Sequence, residues 1–368
     1  MSYKVRFVDM PRHYGSLKNE ILATVDEVLS RGDVILREDV QRFEEDFASF
    51  VETKYAVGVN SGTDALFLAL RAAGVGKGDE VITVAHTFVA TVAAIIHNGA
   101  APILVDVGED FNMDMDKAEE AVTPKTKAII PVYLNGRLCD MERLMSIAQR
   151  HNLMVIEDAC QSLGARFSGK RAGSFGLTGC FSLYPFKMLG AFGDGGIVTT
   201  NDEGIAEKIR LFRDHGQNRR TGEILFYGFN TRLDNLQAAI LSLKLKYLLK
   251  WIERRREVAE IYKRGLSDIS ELKLPHFPGQ EYYDVFQNYV VRAEKRDELV
   301  EFLRRKGVEV LISWPIPMHH QQGLKLKHFI LPQTERISRE VLSLPMNAEI
   351  DNEQVKYVID CVHSFYST

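Results

Sequence analysis

The chain has 368 residues, 45% of them hydrophobic and 26% charged, with a formal net charge of -4. That length calls for two packed units rather than one simple core, and the charge removes the electrostatic case for nucleic acid. No apolar run approaches the ~20 residues needed to span a bilayer, and residues 1–11 lack an apolar core of signal-peptide length, so no membrane partner and a cytoplasmic location are expected. The cysteines Cys139, Cys160, Cys180 and Cys361 have no CxxC spacing, which points to free thiols rather than disulfides or a metal site. Arg254-Arg255-Arg256 is interrupted by acidic and apolar neighbours and reads as a solvated helix face.

In chain order, apolar residues from Leu17 onward recur at helical spacing up to a break at Gly32-Asp33, and Val40, Phe43, Phe47 and Phe50 open a second helix. Tyr55–Val59 reads as a strand, Asn60-Ser61-Gly62-Thr63 as a turn and Asp64–Ala73 as a helix. Strands Glu80–Val84, Ala101–Val105, Ala128–Val132 and Met154–Glu157 alternate with helices Thr87–Asn98 and Met141–His151. Ile197–Thr200 reads as another strand and Ile205–Phe212 as a helix. Strands alternating with helices, several apolar on both faces, indicate a mostly parallel sheet wrapped by helices, hence an α/β fold. A polar loop follows from His215 to Gly228. Helical spacing then runs from Asp234 to about Leu266, as a bridge to a smaller C-terminal α+β unit. That unit is expected to hold strand Phe286–Arg292, helix Arg296–Lys306, strand Val308–Ile312, and helices Thr334–Leu342 and Asn352–Tyr366. The expected division is 1–245 for the N-terminal segment and large domain, and 246–368 for the bridging helix and small domain.

Four segments carry residues capable of chemistry. Asn60-Ser61-Gly62-Thr63-Asp64 lies where a strand meets a helix, and the unpaired N–H groups of a helix N-terminus attract a phosphate; an ordinary N-cap uses the same residues. Val155-Ile156-Glu157-Asp158 carries Asp158 to the carboxyl edge of the sheet, where ligands of open α/β folds bind. Such a carboxylate can keep a pyridinium nitrogen protonated, or simply cap the next helix. Gln161 lies one turn on, and Glu157 is expected to face the opposite way. Lys187, in Phe181-Ser182-Leu183-Tyr184-Pro185-Phe186-Lys187, has apolar neighbours that would lower its pKa and free its amine, although a lysine can also snorkel. The glycines from Gly190 to Gly196 lack dinucleotide spacing and suit tight turns. In Gly228-Phe229-Asn230-Thr231-Arg232-Leu233-Asp234, Asn230 and Arg232 can meet a phosphate while Asp234 can cap a helix.

In this order and spacing the segments resemble the DegT/StrS family of pyridoxal 5'-phosphate (PLP) sugar-nucleotide aminotransferases. The resemblance extends from Phe7-Val8-Asp9 to Ser343-Leu344-Pro345-Met346. It implies PLP fold type I, with a seven-stranded, mostly parallel sheet in the large domain. It further implies Lys187 as the Schiff-base lysine, Asp158 as partner of the pyridine nitrogen and Gln161 beside the ring hydroxyl. Gly62, Thr63 and Ser182 match the phosphate cup, and Phe88 the aromatic that stacks on the ring. Asn230 matches a residue that reaches the neighbouring subunit's phosphate, implying a homodimer with shared sites. The implied substrates are L-glutamate as amino donor and a nucleotide-linked keto-sugar as acceptor, 3-keto favoured over 4-keto by similarity in Leu189–Gly196. His319, Arg232 and Tyr184 are substrate candidates.

The chain departs from the family pattern at Arg37-Glu38, where many relatives have Gly-Pro, and at Asn347, where His or an aromatic is usual. His86 lies close to the expected ring, with no assigned role. Two other functions are compatible with the same cofactor motifs. A PLP-dependent sugar deoxygenase or dehydratase would resemble the branch with His in place of Lys187. A non-catalytic PLP-binding regulatory protein would lack turnover with any amino donor.

Overall fold

The computed structural model describes residues 3–275 and 279–367; positions 1–2, 276–278 and 368 of the two expected units lie outside the described residues. Helix α1 (Met10–Arg31) begins earlier than the apolar spacing suggests, because Asp9 accepts from the Arg12 N–H and Pro11 occupies the first turn. Gly32, with φ of 71°, closes it. After α2 (Glu38–Val51) come β1 (Tyr55–Val59), α3 (Gly62–Ala72), β2 (Glu80–Val84), α4 (Val89–His97), β3 (Ala101–Val105), the short α5 (Met115–Glu120), β4 (Thr126–Ile129), α6 (Met141–His151) and β5 (Met154–Asp158). A two-residue ribbon, β6 (Arg166–Phe167) and β7 (Lys170–Arg171), precedes β8 (Thr178–Ser182), β9 (Gly196–Thr200) and α7 (Glu203–Arg213).

The main sheet has seven strands in the order β1-β9-β8-β5-β4-β2-β3. Only β9 runs against its neighbours. The carboxyl ends of β1, β5 and β8 therefore lie on one edge, and β9 starts there. Two apolar layers enclose the sheet: one draws on α2 and α6 (Phe43, Phe47, Leu144, Ile147), the other on α3, α4 and α7 (Leu66, Leu70, Ile95, Ile209).

Beyond the main sheet lie α8 (Asn235–Leu245), α9 (Leu248–Leu266), β10 (Leu272–Lys273), β11 (Tyr282–Tyr283), β12 (Tyr289–Ala293), α10 (Arg296–Arg305), α11 (Pro332–Glu340), β13 (Val341–Leu344) and α12 (Asn352–Tyr366). Strands β10, β12 and β13 make a smaller sheet over a separate apolar core. Helix α9 serves both cores: Leu248 and Ile252 pack on the large-sheet side, whereas Val258, Ala259, Tyr262 and Leu266 pack in the smaller core.

Four expectations need correction. The helix foreseen from Asp234 to Leu266 is two helices. Lys246 and Tyr247 bond three residues back, to Leu243 and Lys244, while the Tyr247 hydroxyl is held by Glu20 of α1, so tertiary anchoring tightens the turn without Gly or Pro. Val308–Ile312 forms no ladder: Val308 bridges Val5 and Leu311 bridges Ser343, so its alternation reflects burial of Val308 and Val310. The helix expected to reach Leu342 stops at Glu340, and Val341–Leu344 pairs with β12 instead. Ile337, Val341 and Leu344 keep helical spacing, but pairing across the sheet overrides it. Arg255 is not on a solvated face; it is buried and donates to the carbonyls of Phe286, Gln287 and Met346.

Candidate active site

The edge where β1, β5 and β8 end opens into a cavity of about 510 Å³. Its lining brings together Gly62, Thr63, Phe88, Asp158, Gln161, Ser182, Tyr184 and Lys187 from the residues singled out in the sequence. Thr87, Thr91, Cys160 and Trp314 also line it.

At one end stands the N-terminus of α3. Ser61 caps it, accepting from the Asp64 N–H at 3.1 Å, and the next residues present bare backbone. Gly62 is required there: a Cβ would lie 2.7 Å from the Ser182 Cβ and 3.0 Å from the Cys160 sulfur. The helix end, Thr63 and Ser182 together form a donor-rich cradle for an anion.

Asp158 ends β5 and is buried in the cavity wall. The Thr91 hydroxyl donates to its Oδ2 at 2.8 Å and the Cys160 N–H to its Oδ1 at 3.3 Å. Thr87, just ahead of α4, in turn lies 2.8 Å from the hydroxyl of Thr91 in the first turn of α4, and this pair holds the carboxylate's rotamer. Glu157 faces the other way, as strand alternation requires. It is fully buried and accepts from the N–H groups of Gly173, Phe175 and Gly176, each at 2.7 Å, and from the Tyr133 hydroxyl at 3.0 Å. Burial outweighs these donors and raises its pKa.

Lys187 sits in the turn after β8, half-buried, with its N–H bonded to the Tyr184 carbonyl at 2.8 Å. Its surroundings desolvate the ammonium and lower the amine's pKa from 10.5, against the opposing pull of the Asp158 carboxylate. Burial pushes the Cys160 thiol well up, so it stays protonated. Gln161 accepts the Asn135 N–H at 2.9 Å through its Oε1, leaving its NH2 group as the available donor. Phe88 lines the cavity while 57% exposed, an apolar ring at the mouth.

Three sequence candidates lie elsewhere. Arg232 pairs with Asp214 at 3.1 Å and does not line the cavity. His319 is completely buried, 3.3 Å from Glu335, also outside the lining. Asn230 is exposed, across from Asp214. His86 is buried beneath the site, stacked on Phe111 and edge-on to Trp314; desolvation lowers its pKa to about 4, so it is a neutral aromatic support. Arg37 is exposed at the start of α2, 3.7 Å from Asp33. Asn347 donates to the carbonyls of Arg6 and Phe7, tying the N-terminal segment to the smaller unit. Sequence reading missed Thr87 and Thr91; their four-residue spacing across the start of the helix at Phe88 was the available signal.

A sequence model of the DegT/DnrJ/EryC1/StrS aminotransferase family matches residues 15–363. The chain belongs to this family. It is 44% identical to a pleiotropic regulatory protein of Geobacillus stearothermophilus, over 98% of each chain. It is 40% identical to a dTDP-3-amino-3,4,6-trideoxy-alpha-D-glucose transaminase of Streptomyces venezuelae, over 98% of this chain and 96% of the relative. The crystal structure of S. venezuelae DesV in complex with a ketimine intermediate superposes with a TM-score of 0.96 at 39% identity, covering all of both chains. A Bacillus subtilis structure, NtdA with bound PMP, superposes at 0.90 with 31% identity, over 99% of this chain and 84% of that one. The family member described here is a PLP-dependent aminotransferase of fold type I. Its cavity suits that cofactor: a bare-backbone cradle for phosphate at one end, a buried carboxylate for the ring nitrogen, and an amine of lowered pKa. Among the described residues, no helix is long and apolar enough to cross a membrane.

Proposed function

We propose that this aminotransferase moves an amino group from L-glutamate to a nucleotide-linked keto-sugar, with the 3-keto position favoured over the 4-keto. The observation that carries the reading is the presence, in one cavity, of the desolvated amine of Lys187 and the doubly held carboxylate of Asp158. PLP, when bound, supplies an electron sink that stabilises negative charge at the substrate carbon. Lys187 would carry the cofactor, and its free amine would move the proton at that carbon as general base and acid. Asp158 keeps the ring nitrogen protonated, with Thr91 and the Cys160 N–H holding the carboxylate in place. The Gln161 NH2 group would meet the ring hydroxyl, Phe88 would cover one ring face, and Gly62, Thr63 and Ser182 would bind the phosphate with the α3 N-terminus. Tyr184, 46% exposed at the mouth, faces the acceptor.

Asn230 serves the site of a second copy in a homodimer. Its exposure supports this reading, as do the bare Ile224, Leu225 and Tyr227 on the adjoining loop, apolar surface that a partner would cover. Amination at C3 is supported by the name of the Streptomyces relative and by the similarity in Leu189–Gly196. Lys187, where the deoxygenating branch carries His, supports amination over deoxygenation.

The test is a glutamate-dependent assay across dTDP-, UDP- and GDP-linked 3-keto and 4-keto sugars, with products identified by mass and NMR. An amino-sugar product that disappears in Lys187→Ala supports the reading. Full turnover by Lys187→Ala, or a deoxysugar product, overturns it.

A further inference from the structure

The turn that carries Lys187 is gripped by one side chain from the smaller unit. Gln287 lies just ahead of β12 and is only 7% exposed. Its Nε2 donates to the Phe186 carbonyl at 3.0 Å, and its Oε1 accepts the Met188 N–H at 2.9 Å. That carbonyl and that N–H belong to the two peptide groups joined at the Lys187 Cα. Each peptide group is planar, so holding both planes fixes φ and ψ of Lys187 and with them the direction of its side chain.

The clamp is itself held. Arg255 donates to the main-chain carbonyls of Gln287 and Phe286, at 3.1 and 3.2 Å, and to that of Met346 at 3.0 Å. Phe286 has a φ of 50°, a region bulky residues avoid unless surrounding contacts enforce it. On the other side of the turn, the buried Lys244 ammonium donates to the Gly190 carbonyl. Gly190 packs so closely that a Cβ would lie 2.3 Å from the Pro185 carbonyl oxygen. The turn is therefore anchored at its Gly190 end, and Gln287 is what holds the peptide groups on either side of Lys187.

We propose that Gln287 is a positioning residue for Lys187, holding its amine at the pitch needed for proton transfer and keeping it in its desolvated setting. The proposal rests on the role assigned to Lys187 above. Without the clamp the turn relaxes, the amine samples a wetter position, and reaction geometry loosens in both half-reactions. Substrate binding changes little, because Gln287 does not line the cavity.

The test uses the PLP-loaded enzyme and Gln287→Leu, which keeps bulk but makes neither hydrogen bond. Loosened positioning is expected to lower kcat on the order of tenfold in each half-reaction, misplacement of ~1 Å being enough for up to ~100-fold, with KM for donor and acceptor unchanged. A second readout is independent of turnover: the pH profile of PLP capture by cofactor-stripped protein, scored as the mass fixed on the Lys187 peptide by borohydride. Its midpoint should move up in Gln287→Leu, toward the ordinary lysine value. Gln287→Glu is read in the same way and serves if Gln287→Leu does not fold. It can accept from the Met188 N–H but regains a donor to the Phe186 carbonyl only when protonated, so its kcat should recover as pH falls. Folded variants with the wild-type capture profile and kcat overturn the proposal. So does a lower melting temperature with no movement of the profile. Failure of the wild-type protein to fix PLP on Lys187 would instead overturn the role of Lys187 itself.

Discussion

Adjacent carboxylates on β5 face opposite ways, and replacing Glu157 by Gln tests whether their jobs are separate. Each Glu157 oxygen receives two donors: Phe175 and Gly176 N–H on one, Gly173 N–H and the Tyr133 hydroxyl on the other. A Gln amide must turn its NH2 group toward one pair. The less costly choice faces Gly173 and Tyr133, because the tyrosine hydroxyl can rotate to accept. That leaves the buried Gly173 N–H opposed by another donor, a loss of about 1–3 kcal/mol for an unsatisfied group. Weakening of the remaining bonds from charged to neutral adds about 1 kcal/mol. Glu157→Gln should therefore destabilise the fold by roughly 2–4 kcal/mol while leaving turnover per folded molecule within about threefold. Urea titration of the cofactor-free protein, with active sites counted by bound PLP, measures both quantities. Stability within about 0.5 kcal/mol of wild type would refute the donor count, since that is the scatter of neutral surface changes. Loss of turnover at full stability would refute the division of labour between Glu157 and Asp158.

Thr91→Val removes one hydrogen bond to the buried Asp158 carboxylate, worth about 1.5–3 kcal/mol. Turnover should fall by roughly 10- to 150-fold with intact folding, and a fall under twofold would dismiss the threonine's role. Gly62→Ala forces a Cβ against Ser182 and Cys160, an overpacking cost of about 1–3 kcal/mol; PLP affinity, read by equilibrium dialysis, should drop while the α3 sequence otherwise remains helical. Burial lowers the Lys244 pKa to about 8 from 10.5, so between these values the unfolded chain binds a proton that the folded one gives up. Stability should therefore rise with pH across that window, and denaturant midpoints for Lys244→Met should show a flatter rise.

Six of the seven large-sheet strands were readable as short apolar runs between turn residues, whereas β8, Thr178-Gly179-Cys180-Phe181-Ser182, carries no such run and was not foreseen. Local pattern misled where distant partners decide: Val341–Leu344 has helical spacing but pairs with β12, and the α8–α9 break depends on Glu20 of α1. The same distinction runs through the site. Lys187, Asp158 and Gly62 stand in segments whose chemistry is visible locally, and the cavity brings them together. Thr91 and Gln287 act through partners far away in sequence, so nothing next to them in the chain announces the contact. Arg255 was misread for a related reason: a run of three arginines suggests water, yet its guanidinium replaces water with three main-chain carbonyls.

Helix α9 gives the molecule a mechanical property that neither core has alone. Its first turns are buried in one core and its later turns in the other, so melting either core strips apolar cover from the same helix. The free-energy cost of opening is thereby shared, and the two units should unfold as one cooperative block instead of in sequence. A hinge between independently stable halves could open and close at little cost. A chain braced by a common helix must adjust through small shifts of packed side chains, which suits an enzyme whose lysine is held from across that brace.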